Sequence, residues 1–139
     1  MNRRVVFDTN LIIAGLRSRY GAAFELLVRV DDGSFRICLS VPLVLEYESV
    51  AKRQADTLKL KLDEIDAFIS YLCSVAVPVE IHYLWRPELP DPGDDMVLEV
   101  AVAGQCEFIV THNVRHFAGA EKFGVKAVSP GKFLMMLGG

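Results

Sequence analysis

The alternation of short β-branched runs with longer amphipathic segments constrains the fold of this chain more than any other feature. Five runs predict strands, at residues 4–7, 35–39, 77–82, 108–111 and 125–128. Between and after them, helices are predicted at residues 11–16, 22–30, 43–54, 62–75, 96–103 and 130–137. Parallel strands need long crossover connections, usually helices, whereas antiparallel strands need only tight turns. The pattern therefore predicts an α/β domain with a central, mainly parallel sheet.

Length and composition are those of one ordinary globular domain. The 139 residues fall within the usual size of a single domain, so we predict one domain over residues 1–139. Hydrophobic residues make up 52% of the chain, which excludes an intrinsically disordered protein. The longest uncharged stretch, residues 67–79, has 13 residues, whereas a membrane helix needs about 20. We expect no membrane association and, because the three cysteines show no paired spacing, a cytoplasmic location.

Acidic residues lie at the predicted strand ends and helix starts. Asp8 ends the first strand, and Glu46 lies in the helix after the second. Asp94 and Asp95 close the loop before the helix at 96–103, and Glu99 lies four residues after Asp95. Helix capping is an alternative interpretation of the aspartates, and solvent exposure is an alternative for Glu46. Apolar neighbours predict that Glu99 is buried, and a buried carboxylate needs a hydrogen bond, a counter-charge or a metal ion.

A polar cluster, beginning with Thr111, follows the fourth predicted strand, although a simple turn is an alternative interpretation of it. The carboxyl ends of parallel strands meet at one edge of a sheet, where such proteins bind their ligands. The residues expected at this edge are Asp8, Glu46, Asp95, Glu99 and Asn113. Carboxylate and carbonyl oxygens suit Mg²⁺ or Mn²⁺ better than zinc. Such a site predicts a metal-dependent phosphodiesterase.

The order and spacing of these segments resemble the PIN domain family. The resemblance rests on VVFDTNLIIAGL, on the glutamate of VPLVLEYESVAKR, on DPGDDMVLEVAVAGQCEFIVTHN and on the HF that follows. It extends from Val5 to about Leu134 and is closest to the VapC-like toxins of bacterial and archaeal toxin–antitoxin pairs. It implies a three-layer α/β/α fold and an endoribonuclease that binds Mg²⁺ or Mn²⁺. It also implies RNA as the substrate and an antitoxin protein as a partner.

The resemblance assigns a role to each acid of the expected site. Asp8, Glu46 and Asp95 match the first three acids of the family and would hold the metal ion. Asp94 is an alternative to Asp95, because the alignment can slip by one residue. Glu99 matches a position that is often acidic and would support the site as a further ligand or by orienting water.

One position departs from the family pattern. The fourth acid of the family usually lies two residues after the threonine, and that position is Asn113. Asparagine keeps an acceptor oxygen but lacks the negative charge, so we expect one tightly bound ion and a second recruited mainly by the substrate phosphate. Thr111 and Asn10 would orient the ligating carboxylates. The asparagine also leaves a second hypothesis, a catalytically weak or inactive PIN-like module that binds RNA or a protein.

Substrate contacts and oligomeric state are less constrained by the sequence. His112 and His116 could contact phosphate or donate protons, but an exposed loop position is the more typical role. Met135, Met136 and Leu137 could pack in a homodimer. Basic residues that could meet the RNA backbone, unless they are ordinary surface charges, are Arg17, Arg19, Lys52, Arg53, Arg86 and Arg115.

Overall fold

The chain forms a five-stranded parallel sheet, seen in a computed structural model that describes residues 3–82, 89 and 91–138. The strands are β1 (Arg3–Phe7), β2 (Phe35–Leu39), β3 (Val77–Pro78), β4 (Phe108–Val110) and β5 (Lys126–Val128). Their order across the sheet is β3-β2-β1-β4-β5, and every neighbouring pair is parallel. The predicted α/β/α class with a mainly parallel sheet is confirmed.

Seven α-helices and one 3₁₀ segment account for the remaining regular structure of the described residues. The helices are α1 (Thr9–Arg17), α2 (Ala22–Val28), α3 (Val41–Arg53), α4 (Ala55–Leu58), α5 (Leu62–Val75), α6 (Pro92–Ala103) and α7 (Pro130–Met136). The 3₁₀ segment is Val114–Phe123. The side chains of Ser40, Asp91 and Ser129 cap the N-termini of α3, α6 and α7, and a proline lies at the first or second position of each helix. Proline suits this position because its missing N–H would have no partner there.

Four elements differ from the sequence predictions. Helix α6 begins at Pro92 rather than Met96, because Asp91 accepts a hydrogen bond from the Gly93 N–H and caps the helix there. Strand β3 has two residues rather than six, since Pro78 has no N–H for the ladder. Helix α4 and the 3₁₀ segment were not predicted. Of the predicted loop at residues 86–95, residues 86–88 and 90 lie outside the described residues, and so does the candidate Arg86.

An apolar core holds β1 rigidly at the centre of the sheet. Residues 5–7 are at most 1% exposed. The ring of Phe7 lies 5.7 Å from that of Phe35, and Phe133 of α7 meets Phe35 edge-on at 5.4 Å. Burial of each such ring contributes roughly 1.5–3 kcal/mol. The core therefore holds the end of β1, and the residue that follows it, in one position.

The order of the strands reverses next to β1. The chain adds β2 and β3 on one side of β1 and then returns to place β4 and β5 on the other side. In open parallel sheets, ligands bind at such a reversal, outside the carboxyl ends of the strands. Asp8 follows β1 and Thr111 follows β4, so the fold brings both residues to this crevice. No helix of the described residues is long and apolar enough to span a membrane.

Candidate active site

Asp8 is fixed in the crevice from two directions. Its backbone N–H donates to the Val110 carbonyl at 3.0 Å, which extends the pairing of β1 with β4 by one residue. Its Oδ2 accepts a hydrogen bond of 2.7 Å from the Thr111 hydroxyl, and the residue is only 4% exposed. Asp8 occupies the N-cap position of α1, but its side chain makes no capping hydrogen bond. The carboxylate is therefore directed to the crevice rather than used to cap the helix.

Burial makes the charged form of Asp8 unfavourable. Desolvation raises the pKa of its carboxyl above the ordinary value. The Thr111 hydroxyl opposes this rise most strongly, and the N–H groups of Thr9 and Asn10 and the charge of His116 act in the same lowering direction. The rise persists despite these groups, which is typical of a carboxylate that lacks a counter-ion.

Asp94 brings a second carboxylate to the same place. It lies in the first turn of α6 and is 8% exposed. Its Oδ2 is buried and has no hydrogen-bond partner among the described residues, and Nδ1 of His116 is 3.6 Å away. Burial raises the pKa of Asp94 to about 6, and the negative charge of Asp8 is the next largest cause. Asp8 and Asp94 therefore form a pair of buried carboxylates that repel each other.

The adjacent Asp95 has a different environment. It is 1% exposed, and its Oδ1 accepts a hydrogen bond of 2.8 Å from the Leu89 N–H. This bond ties Leu89, three residues before the start of α6, to the helix. Of the two consecutive aspartates, Asp94 faces Asp8 and His116, whereas Asp95 has a backbone partner.

The two glutamates of the expected site differ in burial. Glu46 is half-buried on α3. Glu99 is 2% exposed and lines a cavity of about 390 Å³ with Arg4 and residues 77–82. Neither Asp8 nor Asp94 lines that cavity.

Thr111 connects the remaining polar residues to Asp8. It is fully buried; its hydroxyl donates to Asp8, and its Oγ1 accepts from the Asn113 N–H at 2.9 Å. Asn113 is half-buried at the start of the 3₁₀ segment, and Asn10 is exposed in the first turn of α1. Thr111 thus links the position of Asp8 to the start of the loop that carries Asn113.

Two contacts of this region were not predicted from the sequence pattern. Tyr47 of α3 is buried and its hydroxyl donates to the carbonyl of Phe7, the residue before Asp8. His116 was more typical of an exposed loop, yet it contacts Asp94. The position of Tyr47 on the apolar face of the helix, next to Glu46, is a weak sequence indication of its contact. No local pattern predicts the contact between His116 and Asp94, because it depends on how the 3₁₀ segment meets α6.

The arrangement suits a divalent cation through a pair of carboxylates rather than a complete protein cage. Among the described residues, no group of three or more His, Cys, Asp and Glu side chains is placed to hold a metal ion. Mg²⁺ commonly binds proteins through one or two carboxylates and keeps several waters or substrate phosphates as its other ligands. A buried pair of aspartates with an unpartnered oxygen fits that mode of binding.

The parallel α/β fold and the buried acids at the strand reversal define a class of ligand-binding α/β domains. Residues 4–115 match the PIN domain family, and the chain belongs to this family. PIN domains are generally nucleases and generally use divalent metal ions. No curated protein is significantly similar in sequence.

A solved structure with a similar fold is that of VapBC2 from Rickettsia felis bound to a DNA fragment from their promoter. The match has a TM-score of 0.63 and 10% sequence identity, and it covers 91% of this chain and 98% of that chain. At this identity the similarity concerns the fold.

Proposed function

We propose that this chain is a metal-dependent endoribonuclease that hydrolyses RNA phosphodiester bonds. The observation that carries the proposal is the pair of buried carboxylates of Asp8 and Asp94 where the strand order reverses. The repulsion between two buried carboxylates destabilises the metal-free protein. A cation bound between them would remove this repulsion and stabilise the protein. Family membership supports nuclease chemistry at this place.

Asp8 and Asp94 would hold the ion, Mg²⁺ or Mn²⁺, because both are hard oxygen ligands in the same crevice. We assign Asp94 to this role in preference to Asp95, because Oδ2 of Asp94 is buried without a hydrogen-bond partner among the described residues and the charge of Asp8 helps to raise its pKa. Glu46 stays a predicted ligand of the same site, Glu99 and Asn113 stay predicted to complete or orient its shell, and mutation tests their contribution. When bound, the ion would neutralise phosphate charge and activate a water molecule near neutral pH.

The surrounding residues hold the first acid in place. Thr111 donates to Oδ2 of Asp8 and so fixes the orientation of the carboxylate. Tyr47 donates to the carbonyl that precedes Asp8 and so restrains the backbone there. These contacts would keep the acid ready for a cation without rearrangement.

We further propose that the chain is the toxin of a type II toxin–antitoxin pair that acts in the cytoplasm. The structure with the similar fold is that of VapBC2, which supports an antitoxin as the partner of this chain. All three cysteines are free, which is typical of a reducing compartment. A homodimer through the exposed Met135 and Met136 stays a prediction.

Cleavage of a labelled single-stranded RNA with Mn²⁺ or Mg²⁺ tests the enzymatic proposal. Asp8→Asn and Asp94→Asn should each lower the rate more than about 100-fold, since loss of groups outside the ligand shell already costs 10–100-fold. Asp95→Asn keeps an acceptor for the Leu89 N–H and should retain most of the activity. Glu121→Gln, an exposed acid, is the control. Wild-type rates in the Asp8 and Asp94 variants would refute the proposal.

A second candidate is a catalytically weak module that binds RNA or protein. It is favoured by the uncharged Asn113 and by the lack of a three-residue ligand group among the described residues. Titration calorimetry with Mn²⁺ separates the two functions. Binding that disappears in Asp94→Asn supports the enzyme, whereas no heat of binding at millimolar Mn²⁺ supports the module.

A further inference from the structure

We propose that residues His112–His116, here called the basic loop, form the phosphate-binding side of the RNA cleft. The inference rests on the proposed function and extends it, because it names the residues that hold the substrate backbone. The five residues line a cavity of about 330 Å³ that opens directly after β4. The loop therefore lies at the edge of the sheet that carries the acids.

One end of the cavity adjoins the acid pair. His116 lines the cavity and its Nδ1 is 3.6 Å from Oδ2 of Asp94. The effect of His116 on the pKa of Asp8 places it within electrostatic range of that residue too. A phosphate in the cavity would thus be close to the carboxylates, where a neighbouring phosphodiester bond could be cleaved.

The charges of the loop suit a phosphate. His112 and Arg115 are exposed, and the loop contains no acid. Arg115 forms no ion pair with any described residue, so its guanidinium can turn to a ligand. An arginine can bind a phosphate through two parallel hydrogen bonds, and the imidazole N–H groups add further donors. Such donors offset the repulsion between RNA and a chain with net charge −3.

The other basic candidates lie farther from the crevice. Helix α1 begins at the crevice, and Arg17 at its end is about 12 Å along the axis from Thr9. Helix α3 likewise leads away from the end of β2, and Lys52 near its end pairs with Glu48 at 2.8 Å and with Asp66 at 2.7 Å. Among these basic candidates, Arg115 lies on the loop whose His116 contacts Asp94.

Binding of a fluorescein-labelled single-stranded RNA, followed by anisotropy in EDTA at several salt concentrations, tests the inference. EDTA prevents metal-dependent cleavage, so the affinity is measured independently of any nuclease activity. Arg115→Gln should weaken binding roughly tenfold, as expected for loss of one charge-assisted hydrogen-bonded contact. The slope of log K for RNA association against log salt concentration should become smaller in magnitude by about 0.7, because one phosphate contact is lost. Arg19→Gln, which removes the same charge from an exposed site between α1 and α2, should change neither quantity.

Asp94→Asn separates failure of this inference from failure of the proposed function. It should abolish cleavage with Mn²⁺ and yet bind RNA at least as tightly as the wild type, because a repelling charge is lost. Equal affinities of wild type and Arg115→Gln would overturn the basic loop while leaving the nuclease intact. The inference about the basic loop would also be overturned if Arg115→Gln and Arg19→Gln lost equal RNA affinity, or if the wild type did not bind RNA at low salt. Undiminished cleavage by Asp94→Asn would instead count against the proposed active site.

Discussion

Replacing Asp94 by asparagine should stabilise the metal-free protein near neutral pH. The carboxylate has a buried oxygen without a hydrogen bond, and the charges of Asp8, Asp91 and Asp95 raise its pKa further, opposed by His116. Asparagine has almost the same shape without the charge. The substitution should therefore remove an unfavourable charge and lose little packing.

The magnitude follows from the difference between folded and unfolded protein. The pKa of Asp94 rises from 3.8 to about 6 on folding, and each tenfold change in proton affinity is worth about 1.4 kcal/mol. The upper bound is about 3 kcal/mol, and screening by water and salt in the crevice lowers the expected value to about 1–2 kcal/mol.

Because folding raises the pKa of Asp94, its destabilising effect develops over a defined pH range. Below pH 3.8 Asp94 is protonated in both the folded and the unfolded protein, so its ionisation does not change the free energy of unfolding. Between 3.8 and about 6 the unfolded chain loses the proton before the folded protein does, so stability falls as pH rises. Above about 6 the loss is complete.

Urea unfolding in EDTA at pH 4 and pH 7 measures this effect. The wild type should lose about 1–2 kcal/mol more than Asp94→Asn between these two values, with a smaller loss from Asp8 remaining in both. Mn²⁺ at 100 times its Kd should restore about 2.7 kcal/mol at pH 7 in the wild type only. Glu121→Gln should behave as the wild type. An equal fall with pH in Asp94→Asn and the wild type would refute the reasoning.

Three further substitutions test the supports of the site and of the fold. Thr111→Val removes the hydroxyl that donates to Asp8, and it should cost about 1–3 kcal/mol in urea unfolding and raise the pKa of Asp8 in an NMR titration. Tyr47→Phe should cost about 1 kcal/mol and lower kcat, because the carbonyl before Asp8 loses its donor; an unchanged kcat would contradict this role. Gly15→Ala should lower stability by about 1–3 kcal/mol, since its new methyl would clash with Cδ1 of Leu27; an unchanged melting temperature would show that the Leu27 side chain moves aside at no measurable cost.

The predictability of the site differed among its acids for physical reasons. Asp8 was placed correctly at the end of a strand, because a buried β-branched run followed by an acid has few other locations in a parallel sheet. Asp94 and Asp95 are neighbours with the same chemistry, so no local pattern decides which one faces Asp8. The choice depends on the start of α6 at Pro92, four residues earlier than predicted, and on the backbone partner of Asp95.

Local patterns named His112, Arg115 and His116 as candidates but did not predict the contact of the basic loop with the acid pair or the contact of Tyr47 with Phe7. The loop follows β4 as a 3₁₀ segment, which has no strong periodic signature, and His116 meets Asp94 only after this segment packs near α6. The hydroxyl of Tyr47 finds the carbonyl of Phe7 across two packed elements. Such contacts are defined by the positions of whole elements.

The sequence by itself determined the class of the fold, the parallel sheet and the edge that carries the polar residues, because these depend on periodicity and composition within short stretches. Only the tertiary structure decided the strand order, the pairing of Asp8 with Asp94 and the contact of His116 with that pair. Segments that are distant in the chain meet through packing of the shared core, and a shift of one residue in a helix redirects its side chains. The spatial relation between acids and cations is therefore a property of the packed molecule.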